Sequence, residues 1–344
     1  MTATSSALSG RNGRLTDPSP RVLCIGVATH DTIVDTGRYP APDDRVIVEE
    51  ISEAGGGPAA TAAVTLARLG VTAGLLAIVG DDIEGDAVRR GLADEGVDVH
   101  GVATVDGMRT ARSVVIVSRE GDTRAILTRP PEADPQGSAT VPPAHWAERV
   151  RSTTAWVHLD HAGWAHRAAL GIVRGIGPLI SLDAGYPMAG LDPAAVDLFA
   201  PTAAVVAHLR PDLPLAAAVG AIAAEAGTIV VATDGARGVI ASDGQRIITV
   251  PAFHVRVRST LGAGDVFHGA LVAGLADGYG LLDAVTRAAA AAALSCTGLD
   301  GRSAIPTTEV LAAYLATGST AGAGSMTGST GAPTERHDDR QRRG

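Results

Sequence analysis

The chain has 344 residues, enough for one large α/β domain or two small ones; 46% are hydrophobic but only 3% aromatic, so its core must be built from Ala, Val, Leu and Ile. The formal net charge of −9 argues against nucleic acid or an anionic membrane as the main partner, although a few Arg in a cleft could still hold an anionic small substrate. Lysine is absent from the sequence, which excludes a Walker P-loop, a protein-kinase ATP lysine and any lysine Schiff base.

Residues 1–20 are rich in Ser, Thr, Gly and Pro, and residues 318–344 in Gly, Ser and Thr with a charged end; both read as disordered tails around a body of 21–317. Arg21 to Val27 reads as a buried strand, and Val46 to Ile51 as a weak edge or lid strand. Gly55-Gly56-Gly57-Pro58 opens a helix with Pro in its first turn, and Gly70 ends it. A strand is expected over 73–79 and a helix over 83–95, capped by Asp81 and Asp82. Residues 113–118 and 124–128 read as a hairpin turning at Glu120-Gly121-Asp122. Strands are then expected near 155–159, 179–182, 203–207, 228–232, 238–242 and 246–250. Helices are expected near 143–150, 164–175, 193–199, 214–226, 263–277, 281–297 and 307–316. This alternation implies a mostly parallel sheet with helices on both faces and ligands at the carboxyl ends of its strands.

The two cysteines, Cys24 and Cys296, lie in apolar segments without zinc spacing and read as buried free thiols. No secretory leader and no membrane span is read in the sequence, so a cytoplasmic location is expected.

The chemistry concentrates in Ser259-Thr260-Leu261-Gly262-Ala263-Gly264-Asp265-Val266-Phe267-His268-Gly269-Ala270. Gly262, Ala263 and Gly264 let backbone N–H groups approach a ligand, and the helix that follows offers its positive end to a phosphate. Asp265, at the junction, suits removal of a proton from an attacking hydroxyl. Anion cradle plus base is the minimal equipment for phosphoryl transfer, although a bare loop with a helix cap fits the tetrapeptide equally well.

The order and spacing of several segments resemble the ribokinase-like (PfkB) carbohydrate kinase family over about 21–316: Gly55 through Gly70, Val79-Gly80-Asp81-Asp82, Thr233-Asp234-Gly235-Ala236-Arg237-Gly238 and the Gly-Ala-Gly-Asp segment. The resemblance implies an α/β/α sandwich with a mostly parallel sheet and a small β lid from about 32–53 and 108–130. It implies ATP with Mg2+ as donor and a small-molecule sugar as acceptor. Asp265 would be the base, Gly262, Ala263 and Gly264 the anion hole, and Thr233, Gly235 and Gly238 would flank the nucleotide. Asp31, Gly56, Gly57 and Thr61 would meet the acceptor, with a turn or helix cap as the other reading of Asp31. A homodimer through the lid is expected.

Thr61 stands where Asn is common, Ser259 where Asp is common and Leu261 where Thr is common, which leaves a monovalent-cation requirement open. The family's Asn-x-x-Glu is not recognisable at 205–210, so magnesium would be held mainly by ATP and water. In its motifs the chain is most similar to the sulfofructose kinase branch, whose sulfonate pocket would fall at Arg45, at Thr128 with Arg129 beside it, and at 161–164, where no Arg stands; contact with a sugar phosphate, or solvated lid residues, are the other readings of Arg45 and Arg129. His158, His161 and His166 with Asp160 form a local cluster without zinc spacing. A ribose or nucleoside kinase, and a catalytically weak sugar sensor, remain as alternatives to a ketose kinase.

Overall fold

The structure is a computed structural model that describes residues 20–120, 123–131, 144–153 and 155–317. Both proposed tails, apart from Pro20, and the tip of the hairpin at Gly121-Asp122 lie outside the described residues. The chain opens with β1 (Val22–Ile25), whose side chains alternate between two cores. Val22 and Cys24 face one helical layer, Leu23 and Ile25 the other, as expected of a strand buried on both sides. The lid strands β2 (Thr29–Thr36) and β3 (Glu50–Gly56) follow, then α1 (Pro58–Arg68), β4 (Ala73–Gly80), α2 (Ile83–Asp94) and β5 (Val102–Val105). A second lid pair, β6 (Arg112–Ser118) and β7 (Thr123–Arg129), precedes α3 (Ala144–Ser152), β8 (Trp156–Leu159), α4 (His161–His166) and β9 (Leu179–Ala184).

The remainder runs β10 (Leu198–Pro201), α5 (Ala203–Leu209), α6 (Leu215–Ala226), β11 (Ile229–Thr233), β12 (Val239–Ser242) and β13 (Ile247–Val250). It ends with α7 (Ala263–Ala276), α8 (Leu281–Ser295) and α9 (Thr308–Ala316). The large sheet has nine strands in the order β13-β12-β11-β10-β9-β8-β1-β4-β5; β11, β12 and β13 pair antiparallel and the other neighbours parallel. Helices α1, α2, α7, α8 and α9 pack on one face, and α3 to α6 on the other. The strand order reverses between β1 and β8, and the crevice beyond the carboxyl ends of those strands is where ligands settle in such sheets.

The smaller sheet has the order β3-β2-β6-β7, with β2 and β6 parallel. Its Ile33, Val115 and Val117 turn inward onto Leu299 and Leu261 of the body, so residues of that parity face the cleft. This is the α/β sandwich with a β lid that the sequence implied.

Several expectations need correction. The segment 203–207 is helix, not strand: Thr202 caps α5 by accepting from the Val205 N–H, and an apolar run of this length fits either state. The expected helix at 193–199 is only a 3-10 turn at Pro193–Ala195, because Val196 is extended and Leu198 to Pro201 joins the sheet between β9 and β11. The lid strand expected at 46–51 lies at 50–56, and β2 and β5 were not foreseen. Helix α4 covers 161–166 instead of 164–175. Asp82 does cap α2, accepting from Gly85 N–H at 2.9 Å, but Asp81 accepts from Gly107 N–H instead.

Candidate active site

Three carboxylates meet at the carboxyl edge of the large sheet. Asp160 follows β8 and accepts hydrogen bonds from the N–H groups of Val27 (2.7 Å), Ala162 (2.8 Å) and Gly163 (3.0 Å). Those bonds tie β8 to the segment after β1 across the strand-order reversal. Asp183, on β9, faces His268 of α7, with Oδ2 3.1 Å from Nδ1. Asp265 lies one turn before His268 on the same helix.

Burial, the Asp183 charge and, more weakly, the Asp160 charge push the Asp265 carboxyl up to about 7, against the pull of His268 and Arg302. Burial draws the His268 imidazole down, but the Asp183 carboxylate overrides it and holds His268 above its ordinary value. His158, buried beside Ser181 with its ring centroid 6.2 Å from that of His268, is pushed down to about 4 by burial and by that neighbour. The sequence-local histidines diverge: His161 packs on Tyr186, His166 closes α4, and among the described residues no cluster of metal-ligating groups forms.

The turn before α7 is shaped for close approach. Gly262 is left-handed at φ 70°, and a methyl there would stand 2.9 Å from Gly301 Cα. Gly264 opens onto empty space, with no atom within 4 Å of where a Cβ would lie. Among the described residues, the N–H groups of Gly264 and Asp265 make no hydrogen bond, and α7 directs its positive end there. This cradle fits a phosphate by shape, donors and charge.

On the lid side, Asp31 lies in the middle of β2 on the inward face and caps nothing. Its Oδ1 and the hydroxyl of Thr29 are buried without a hydrogen-bond partner among the described residues. Burial raises the Asp31 carboxyl, while nearby Thr29, Ser113 and Arg302 draw it back. Gly56 pairs with Thr29 across the β2–β3 ladder, and any side chain there would collide with the Asp31 carboxylate. Gly57, at φ 92°, would drive a Cβ into the Val27 carbonyl. Thr61 is buried in α1 and accepts from Arg302 Nε at 3.2 Å.

One of the two expected acceptor arginines is turned away from this cleft. Arg129 pairs in register with Arg112 on the outward face and donates to the Thr110 carbonyl at 2.9 Å. Its neighbour Thr128 faces inward, 3.2 Å from the Ser113 hydroxyl. Arg45 stands exposed in the loop between β2 and β3 with no hydrogen bond or ion pair among the described residues. Thr233 ends β11 at the same sheet edge, followed by Gly235 (φ 54°) and by Gly238 (φ 96°), which packs against the Val250 carbonyl.

The sequence profile of the pfkB family carbohydrate kinases matches residues 19–152 and 194–308. The chain belongs to the pfkB family. It is similar to the ATP-dependent ribose-1-phosphate kinase of Halopiger xanaduensis, with 31% identity over 301 residues that span 86% of this chain and 98% of that one. It is similar also to the ribokinase of Lactococcus lactis, with 25% identity over 83% of this chain and 94% of that one. The solved ribokinase of Arabidopsis thaliana, complexed with ribose and ATP, shares the fold with a TM-score of 0.73 at 21% identity, over 86% of this chain and 99% of that one. As a pfkB family member the chain is a carbohydrate kinase.

Reading the sequence left Asp183, His268 and Arg302 out of the pfkB-type site. Asp183 carries a readable signal, a lone carboxylate after the apolar strand Leu179 to Leu182. Arg302 and His268 are given no role from sequence, because what places them in the cleft is contact with residues far away in the chain.

Proposed function

We propose that this chain transfers the γ-phosphate of ATP to a primary hydroxyl of a small sugar, with Asp265 as the base. The observation that carries the reading is Asp265 itself, a carboxyl raised to about 7 beside two free N–H groups at a helix N-terminus. ATP with magnesium supplies the phosphoryl group when bound. Asp265 then takes the proton from the acceptor hydroxyl, while the N–H groups of Gly262, Gly264 and Asp265 face the charge that builds on the phosphoryl oxygens; the Ala263 N–H, expected in that anion hole, instead donates to the Thr260 carbonyl at 3.3 Å. Asp31 and Thr29 offer their buried, unsatisfied oxygens to acceptor hydroxyls. Thr233, Gly235 and Gly238 flank the nucleotide, and the lid excludes water.

A ribose-type acceptor is the reading the relatives favour, because two of them are named for ribose or ribose 1-phosphate. A sulfofructose acceptor has weaker support: of the two arginines expected to meet a sulfonate, Arg129 is turned away and Arg45 is exposed. The test is ADP release with ATP and magnesium across ribose, ribose 1-phosphate, fructose, fructose 6-phosphate, sulfofructose and several nucleosides. A strong signal with ribose or ribose 1-phosphate is expected. Sulfofructose as the best acceptor would reverse the ranking, and silence across all of them with the ligands still binding would point to a sugar sensor or to an acceptor outside this set.

We propose also that the lid's outward face pairs two copies of the chain. Val34, Ile51, Val114, Ile116 and Leu127 share that face, and Ile51 and Leu127 are 66% and 59% exposed. Light scattering at micromolar concentration should give a dimer mass for the wild type and a monomer mass for Leu127→Lys; a monomeric wild type removes the idea.

A further inference from the structure

Arg302 lies in the loop between α8 and α9, far in sequence from the acceptor turn, yet it is only 8% exposed. Nη2 donates to the Gly56 carbonyl at 2.7 Å and Nε to the Thr61 hydroxyl at 3.2 Å, while Nη1 packs against Gly55. Its own loop is fixed from both sides. The Asp300 carboxylate accepts from the N–H groups of Arg302 and Ser303 at 2.6 Å each, and Arg68 Nη1 donates to the carbonyls of Arg302 (2.8 Å) and Ile305 (2.9 Å). Gly301, the preceding residue, is the one that meets Gly262 at the start of α7. One short loop therefore touches both the acceptor turn and the anion cradle.

A buried guanidinium needs a reason, because desolvating a charge is costly unless it is paired. Among the described residues Arg302 makes no ion pair; its hydrogen bonds go to a carbonyl and a hydroxyl. The charges that act on it most strongly are the carboxylates of Asp31 and Asp265, which draw it up against a burial that lowers it to about 10. It is held by neutral groups and compensated at a distance by the two carboxylates of the proposed site.

We propose that Arg302 is a positioning residue of the transfer: it locks the Gly55–Gly57 turn onto the anion-hole loop and supplies the fixed positive charge that keeps Asp265 an effective base. The proposal rests on the reading of Asp265 as the base. Asp265 is faced by Asp183 from β9, Asp160 from the segment after β8 and His268 from α7, so two carboxylates and one imidazole act on it besides Arg302. Neutralising Arg302 leaves the two carboxylates opposed by His268 alone, and the Asp265 proton should then be held more tightly.

The test needs no acceptor. Protein carrying 13C-labelled aspartate is titrated, and the Asp265 carboxyl signal is assigned as the one missing from Asp265→Asn. In the wild type it should titrate near 7. In Arg302→Gln, or in the apolar near-isostere Arg302→Met should Gln not fold, the midpoint should rise by about a few tenths of a pH unit, since Arg302 is the weakest of the charges acting on Asp265. Arg302→Lys, which keeps the charge and loses the fork, should titrate as the wild type does. A midpoint that stays put in a folded neutral variant, or moves equally in the Lys variant, overturns the proposal. Neither outcome bears on whether the chain is a kinase, which the acceptor experiment decides separately.

Discussion

The two glycines of the anion cradle should respond in opposite ways to the same added methyl group. Gly262 is left-handed, which costs an L-residue about 1–2 kcal/mol, and its methyl would press on Gly301 Cα at 2.9 Å. Because that contact is with backbone, the Gly301-Arg302 loop must shift, and a total loss of about 2–3 kcal/mol is expected for Gly262→Ala. For a domain of this size that lowers Tm by roughly 4–6 °C. Gly264 has no such penalty. It sits in helical backbone with open space around it, so Ala should stabilise α7 by up to about 0.5–1 kcal/mol and raise Tm by roughly 1–2 °C. If a phosphoryl group approaches Gly264 N–H, however, the methyl occupies its path. The Gly264→Ala variant should then lose about 10–100-fold in kcat despite melting higher. Differential scanning calorimetry and ADP-release kinetics on the two variants measure both quantities. A Gly264→Ala enzyme with wild-type kcat and wild-type KM for ATP would refute the cradle, because it would show that no ligand uses the empty space.

Other consequences follow from the charges around α7. His268→Leu removes the partner of the buried Asp183 carboxylate and should destabilise the protein by about 3–5 kcal/mol in urea unfolding, with Asp183→Asn in the same chain recovering part of the loss; additive effects would mean that the pair is not coupled. A base must be ionised to act, so kcat/KM should fall as pH drops through about 7, the value to which Asp265 is raised in the ligand-free protein; a flat kcat/KM profile from pH 8 to 5 would remove Asp265 from that role.

Much of this architecture was legible because periodic apolar runs and turn residues agree along most of the chain. The glycine-rich entry to α1 and the small-residue entry to α7 could be read from residue size alone, since both need backbone that only glycine supplies. The misreadings cluster where local signals conflict. Asp192-Pro193 looks like a helix start, yet Leu198 to Pro201 is drawn into the sheet by its neighbours on either side. Ala203 to Ala207 has strand-like valines but follows a threonine cap. At the site, Asp265 and the glycines belong to contiguous motifs that can be singled out from sequence, whereas Asp31 is proposed only through the family resemblance. The inward or outward aim of Arg129 depends on strand register, which a one-residue slip reverses. Arg302 is missed for the opposite reason: its role arises from a contact across about 240 positions of sequence.

The central claim is tested most directly by single-turnover phosphoryl transfer in Asp265→Asn, using whichever acceptor the wild type accepts. The isosteric amide keeps the shape of the site and removes the base, so binding of ATP and acceptor should persist while the transfer rate falls by about 10²–10⁴-fold. A variant that binds both ligands and transfers at close to the wild-type rate would contradict the account, because nothing else in the cleft has been assigned the proton.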